Sequence, residues 1–138
     1  MKLVIYSFIA LLLFSALSCE KDPNPKGFTG IYRGVFNRVN NGIDTTGTGV
    51  VFLAINSEDS TFQLQGDTIT LTPANSLGKY ILPEPGKIHF TNTAPIGVPI
   101  YDRFYLLDTV YNFEFEDPNL KIYLDVDTFF YEYNLKRF

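Results

Sequence analysis

One thiol, one imidazole and 15 carboxylates make up most of the reactive inventory of this 138-residue chain. Cys19 is the only cysteine, so no intrachain disulfide can form. It follows the charged start Met1-Lys2 and the apolar run 3–17, with the small residues Ala16 and Ser18 just before it. That order has the build of a secretory signal peptide. The run is too short for a membrane span, which needs roughly 20 apolar residues. His89, the only histidine, lies between Ile88 and Phe90, so a strand there turns the two apolar side chains inward and His89 outward. Catalysis by His89 would need a nucleophile and an orienting carboxylate within hydrogen-bond reach. Ser57, Ser60 and Ser76 are available, but none sits in a G-x-S-x-G turn. The acids Asp102, Asp108, Glu114, Glu116, Asp117, Asp125, Asp127 and Glu132 crowd the second half without an EF-hand spacing. They read as a solvated surface, with calcium at the Asp125-Val126-Asp127 turn as the alternative. No catalytic residue, metal site or cofactor is predicted.

An unpaired reactive thiol is awkward in an exported protein. With cysteine directly after the cut, the segment resembles a bacterial lipoprotein signal, in which the thiol is lipidated before cleavage leaves cysteine first. The resemblance implies lipidation at Cys19 and a place on the bacterial cell envelope, anchored by lipid in the outer membrane. The expected division is a signal peptide over 1–18, a lipidated cysteine and tether over 19–26, and one domain over 27–138. The tether, with Pro23 and Pro25 and three charges in Glu20-Lys21-Asp22, has nothing to bury and reads as extended. Loss of 1–18 removes Lys2 from the 11 basic residues and none of the 15 acidic ones, so a formal charge of −4 becomes about −5. That balance speaks against a nucleic-acid partner, which needs clustered Lys and Arg.

Alternation with period two dominates the domain, and no window sustains a helical apolar pattern over three turns. Of 22 aromatic residues only Tyr6, Phe8 and Phe14 fall in the leader, and aromatics favour strands. Strands are predicted over 28–39, 49–56, 61–65, 68–72, 79–82, 87–92, 120–126 and 128–138. Residues 101–115 are read as one bent strand or two short ones. Turns are expected at Asn40-Asn41-Gly42, 57–60, Gly66-Asp67, Pro85-Gly86 (type II) and Asp117-Pro118-Asn119 (type I). Residues 93–99, with Pro95, Gly97 and Pro99, read as a loop. The fold class is all-β: an antiparallel up-and-down meander of about eight strands closing into a small barrel, the first strand pairing with the last.

Gly30-Ile31-Tyr32-Arg33-Gly34-Val35-Phe36, Lys87-Ile88-His89-Phe90 and the closing Tyr131-Glu132-Tyr133-Asn134-Leu135-Lys136-Arg137 resemble three strands of the small lipocalin-like lipoproteins of Bacteroidetes. The resemblance implies a lipocalin-like barrel; Tyr32 stands where the lipocalin proper usually carries tryptophan, of which this chain has none. Gly30 and Gly34, on one strand face with aromatics, are expected to serve barrel closure.

An interior of Tyr32, Phe36, Phe52, Phe62, Phe90, Phe113, Tyr131 and Tyr133, with Tyr111, Phe115 and Phe129, would be either a packed core or a ring-lined cavity with hydroxyl handles. The functional expectation is non-catalytic binding of a small hydrophobic or amphipathic ligand. The alternative is an envelope interaction or glycan-binding module with a filled core, for which Tyr123 and Phe130 offer outer-face aromatics.

Overall fold

The computed structural model describes Pro25 and residues 27–40, 44–66, 72–95 and 102–138. Eight strands run in order: β1 (Gly30–Asn40), β2 (Asp44–Asn56), β3 (Thr61–Gln65), β4 (Ser76–Ile81), β5 (Lys87–Asn92), β6 (Val110–Glu116), β7 (Asn119–Val126) and β8 (Phe129–Arg137). Each pairs antiparallel with its sequence neighbours, and β1 also pairs with β8 from Tyr32↔Arg137 to Asn40↔Phe129. The meander is therefore a closed barrel with no free edge. Cys19, the signal segment, most of the tether, the turn residues 41–42 and residues 68–71 of the strand expected at 68–72 lie outside the described residues.

Period two sorts the side chains. In β1, Tyr32 and Phe36 are buried while Ile31, Arg33 and Val35 are exposed, and β4 alternates the same way along its length. The seam between β1 and β8 is tight at Gly34. A Cβ there would lie 1.9 Å from the Asn134 carbonyl oxygen, so only glycine admits this approach of β8. The turn before β5 matches expectation. Lys87 N–H donates to Glu84 O at 3.0 Å, and Gly86 takes φ +75°, as the third position of a type II turn requires.

Two local expectations are corrected. The Asp117–Pro118 peptide bond is cis, and Glu116 pairs with Asn119. The register makes Asp117 and Pro118 the two central residues of the turn, so proline sits third in it and not second. The stretch 102–109 is not strand. It holds a single 3₁₀ turn, Arg103–Tyr105, before β6 begins at Val110. Asp102 caps that turn, its Oδ1 accepting from Phe104 N–H at 2.9 Å, so the backbone curls where a strand would have run on.

The interior is a run of touching rings. Phe28 meets Tyr80 and Phe113, Tyr80 meets Phe90, Phe90 meets Phe62 and Tyr111, Tyr111 meets Tyr133, and Tyr133 meets Phe36, with centroids 4.7–6.5 Å apart. These are the separations of packed tilted and edge-to-face pairs. One barrel end is closed by Phe28, which precedes β1 and is 1 % exposed. Its carbonyl accepts from the Tyr32 hydroxyl at 2.7 Å. Arg137 fastens the same strap, donating to the Gly27 carbonyl and pairing with Asp117.

Candidate functional site

The other end is built differently. Arg38 follows Tyr32, Gly34 and Phe36 on the inner face of β1 and pairs in register with Tyr131 of β8. A cation turned into a barrel needs an acceptor. Asp102 supplies it from the connection between β5 and β6: its Oδ2 lies 3.2 Å from Arg38 Nε and accepts from the Tyr131 hydroxyl at 2.7 Å. The Arg38 guanidinium also stacks 3.6 Å over the Phe129 ring. Both members of the ion pair are largely but not wholly covered, with side chains 20 % and 16 % exposed. Burial pushes the Tyr131 hydroxyl above the ordinary tyrosine range; the bond to Asp102 adds to this, while Arg38 opposes it.

Behind this cluster, segment 102–107 acts as a plug. Leu106 and Leu107 are buried, Tyr105 packs edge-on against Phe36 at 5.9 Å, and Phe104 lies against Tyr131 at 5.3 Å. Besides the contacts of Asp102, hydrogen bonds to neighbouring elements fasten it. Leu107 N–H donates to Ser76 Oγ at 3.2 Å, the Tyr105 carbonyl accepts from Ala74 N–H at 2.9 Å, and the Leu106 carbonyl accepts from the Tyr111 hydroxyl at 3.0 Å. Tyr133 completes the wall. It is 0 % exposed, and its hydroxyl has no hydrogen-bond partner among the described residues. Burial raises it well above the ordinary tyrosine range, with smaller contributions from Tyr111 and the nearby charge of Asp102.

Most of the expected interior is found inside. Tyr32, Phe36, Phe62, Phe90, Phe113, Tyr111, Tyr131 and Tyr133 are buried, and Phe115 and Phe129 pack partly buried against them. Phe52 is a correction. It is 39 % exposed on the outer face, where Arg33 lies 5.7 Å from its ring. β2 pairs with β1 so that Leu53 meets Tyr32 and Phe52 meets Arg33, which puts Val51, Leu53 and Ile55 inside.

His89 alternates with buried Ile88 and Phe90, and its cross-strand neighbours are Ile81 and Val110. Tyr123 and Phe130 are half-buried with rings 5.9 Å apart. Among the described residues no group of three or more metal-ligating side chains converges, and Asp127 takes a left-handed φ of 54° in the turn before β8. Grooves of about 600 Å³ and 470 Å³ lie on the outer face, the first beside Ile31, Ala54 and Leu77, the second beside Arg33, Glu114 and Lys136. Both are away from the plug.

Sequence reasoning missed Arg38 and Asp102. A signal existed for Arg38, which shares the parity of Tyr32 and Phe36 in one uninterrupted strand. Asp102 had none, because it arrives from a connection. No protein-family model matches the chain, and neither the curated proteins nor the solved structures yield a match.

Proposed function

We propose that this chain is a lipid-anchored protein of the bacterial cell envelope whose barrel binds a small amphipathic ligand, without catalysis, at the plugged end. One observation carries the reading. Elsewhere strands and the Phe28 strap fill the barrel, but at this end Tyr105, Leu106 and Leu107 come from a connection. A connection can withdraw while the strand ladders stay paired. Its withdrawal would uncover a recess walled by Phe36, Tyr111 and Tyr133, with Arg38 at the rim. That recess would lie near the lower end of the ~300–1,000 Å³ typical of ligand pockets. The resemblance to lipocalin-like lipoproteins and the leader ending at Cys19 support the anchor and the envelope address.

A second reading has its own observation. The rings fill the barrel, and the outer face of β1 and β2 carries exposed Ile31, Val35, Val50 and Phe52 in adjacent cross-strand pairs. This face would suit an interaction module for an envelope protein or glycan. Native mass spectrometry of the full-length protein, released from its host's membranes, separates the two. A reproducible adduct of roughly a few hundred daltons beyond the lipid anchor supports the binding site. A mass showing only the anchored chain moves the weight to the outer face. The anchor is checked separately: Cys19→Ala abolishes palmitate labelling, and labelling that persists refutes it.

A further inference from the structure

We infer that the ligand of the plugged end carries a carboxylate, which replaces the Asp102 carboxylate on Arg38 and Tyr131. The inference rests on the binding reading above and specifies its chemistry.

Asp102 belongs to the segment that must leave. Its Oδ2 pairs with the Arg38 guanidinium and accepts the Tyr131 O–H, Arg38 Nε–H also reaches the Tyr131 hydroxyl oxygen at 3.5 Å, and the Asp102 Oδ1 caps the 3₁₀ turn that carries the plug. Withdrawal of the plug therefore strips a carboxylate from a largely covered guanidinium and a largely covered phenol at one stroke. A neutral ligand would not replace the opposite charge that Asp102 supplies, which is costly in a partly desolvated site. A carboxylate-headed ligand restores the ion pair to Arg38 and the bond from Tyr131 in kind, one charge for one charge. Its apolar body would take the space of Tyr105 and Leu107, against Phe36 and Tyr111. The Tyr133 hydroxyl, buried and without a partner among the described residues, offers a further donor in the same wall. Asp102 is then a built-in surrogate: it holds the site shut by making the contacts the ligand would make.

The experiment uses the full-length protein in lipid nanodiscs with two soluble probes that differ only in the head group, 4-phenylbutyrate and 4-phenylbutan-1-ol. Binding is read by titration calorimetry and plug motion by hydrogen exchange of the peptide spanning 102–108. The acid is expected to bind more tightly than the alcohol and to speed exchange at Leu107, whose N–H is held by Ser76. Asp102→Asn, which removes the competing charge, is expected to tighten the acid about tenfold and to leave the alcohol's preference far behind. Arg38→Met is expected to erase the difference between the two probes. Equal binding of acid and alcohol to the unaltered protein and to Asp102→Asn overturns the carboxylate inference and leaves the binding reading standing. Acid binding with unchanged exchange over 102–108 overturns the surrogate role. If neither probe binds the unaltered protein or Asp102→Asn, the binding reading falls with it. The comparison of two probes on the unaltered protein needs no variant to fold.

Discussion

Tyr133→Phe deletes one oxygen from the middle of the barrel and leaves every ring contact in place. The Tyr133 ring stays 4.8 Å from Phe36 and 6.5 Å from Tyr111. In the unfolded chain the hydroxyl bonds to water. In the barrel it is fully buried and has no partner among the described residues. A buried unsatisfied hydroxyl costs about 1–3 kcal/mol, and phenylalanine does not carry that cost. The void left by one oxygen offsets roughly 0.5 kcal/mol of the gain. The net expectation is a protein about 1–2 kcal/mol more stable, with a melting temperature about 4 °C higher or more. Tyr111→Phe is the matched control. Its hydroxyl does have a partner, the Leu106 carbonyl at 3.0 Å, so the same deletion should cost about 1 kcal/mol. Urea unfolding of the full-length protein at pH 7, followed by far-UV circular dichroism, gives both values. A Tyr133→Phe variant destabilised by more than about 0.5 kcal/mol would refute the reasoning, since it would mean the hydroxyl is satisfied.

Three further outcomes are expected. Tyr111 and Tyr133 are both raised above the ordinary tyrosine value by burial, so above about pH 10 the unfolded chain loses protons that the barrel keeps. Stability is then fully present below pH 10 and falls above it by about 1.4 kcal/mol per pH unit for each of the two, which denaturant melts from pH 8 to 11 would show; a flat profile across pH 10 contradicts it. Gly34→Ala drives a methyl into the Asn134 carbonyl and should cost about 1–3 kcal/mol by pushing β8 away from β1, with faster amide exchange along that seam; an unchanged melt would mean the seam yields freely. Leu53→Ala should cost about 2–5 kcal/mol and Phe52→Ala less than about 1, a difference that reverses if Phe52 is the inward residue.

The corrections show where local pattern stops carrying information. Val50 to Ile55 is apolar at every position, so alternation within β2 is silent about which three residues face inward. Parity is settled by register: β1 alternates clearly, and pairing Tyr32 with Leu53 hands its sense to β2. Arg38 was legible by parity in β1, yet a cation on an inner face makes sense only once an acceptor is known to reach it. Residues 101–115 read as one bent strand or two short ones, and Phe104 to Leu107 are apolar in a row within them. Asp102 instead caps a 3₁₀ turn over Arg103–Tyr105, and strand pairing resumes only at Val110.

The sequence by itself determined the all-β class, the number of strands to within about one, the sites of most turns and the pairing of first strand with last. These follow from short-range causes: period-two alternation, the backbone freedom of glycine, the constraint of proline, and the need to protect aromatic edges. Tertiary structure alone decided that the axis is filled by packed rings, that Phe28 closes one end and a connection the other, and that Asp102 meets Arg38 and Tyr131. Those contacts join residues far apart in the chain, and barrel closure sets which of them meet. No local pattern encodes such a meeting, because it depends on the summed register of every ladder between them.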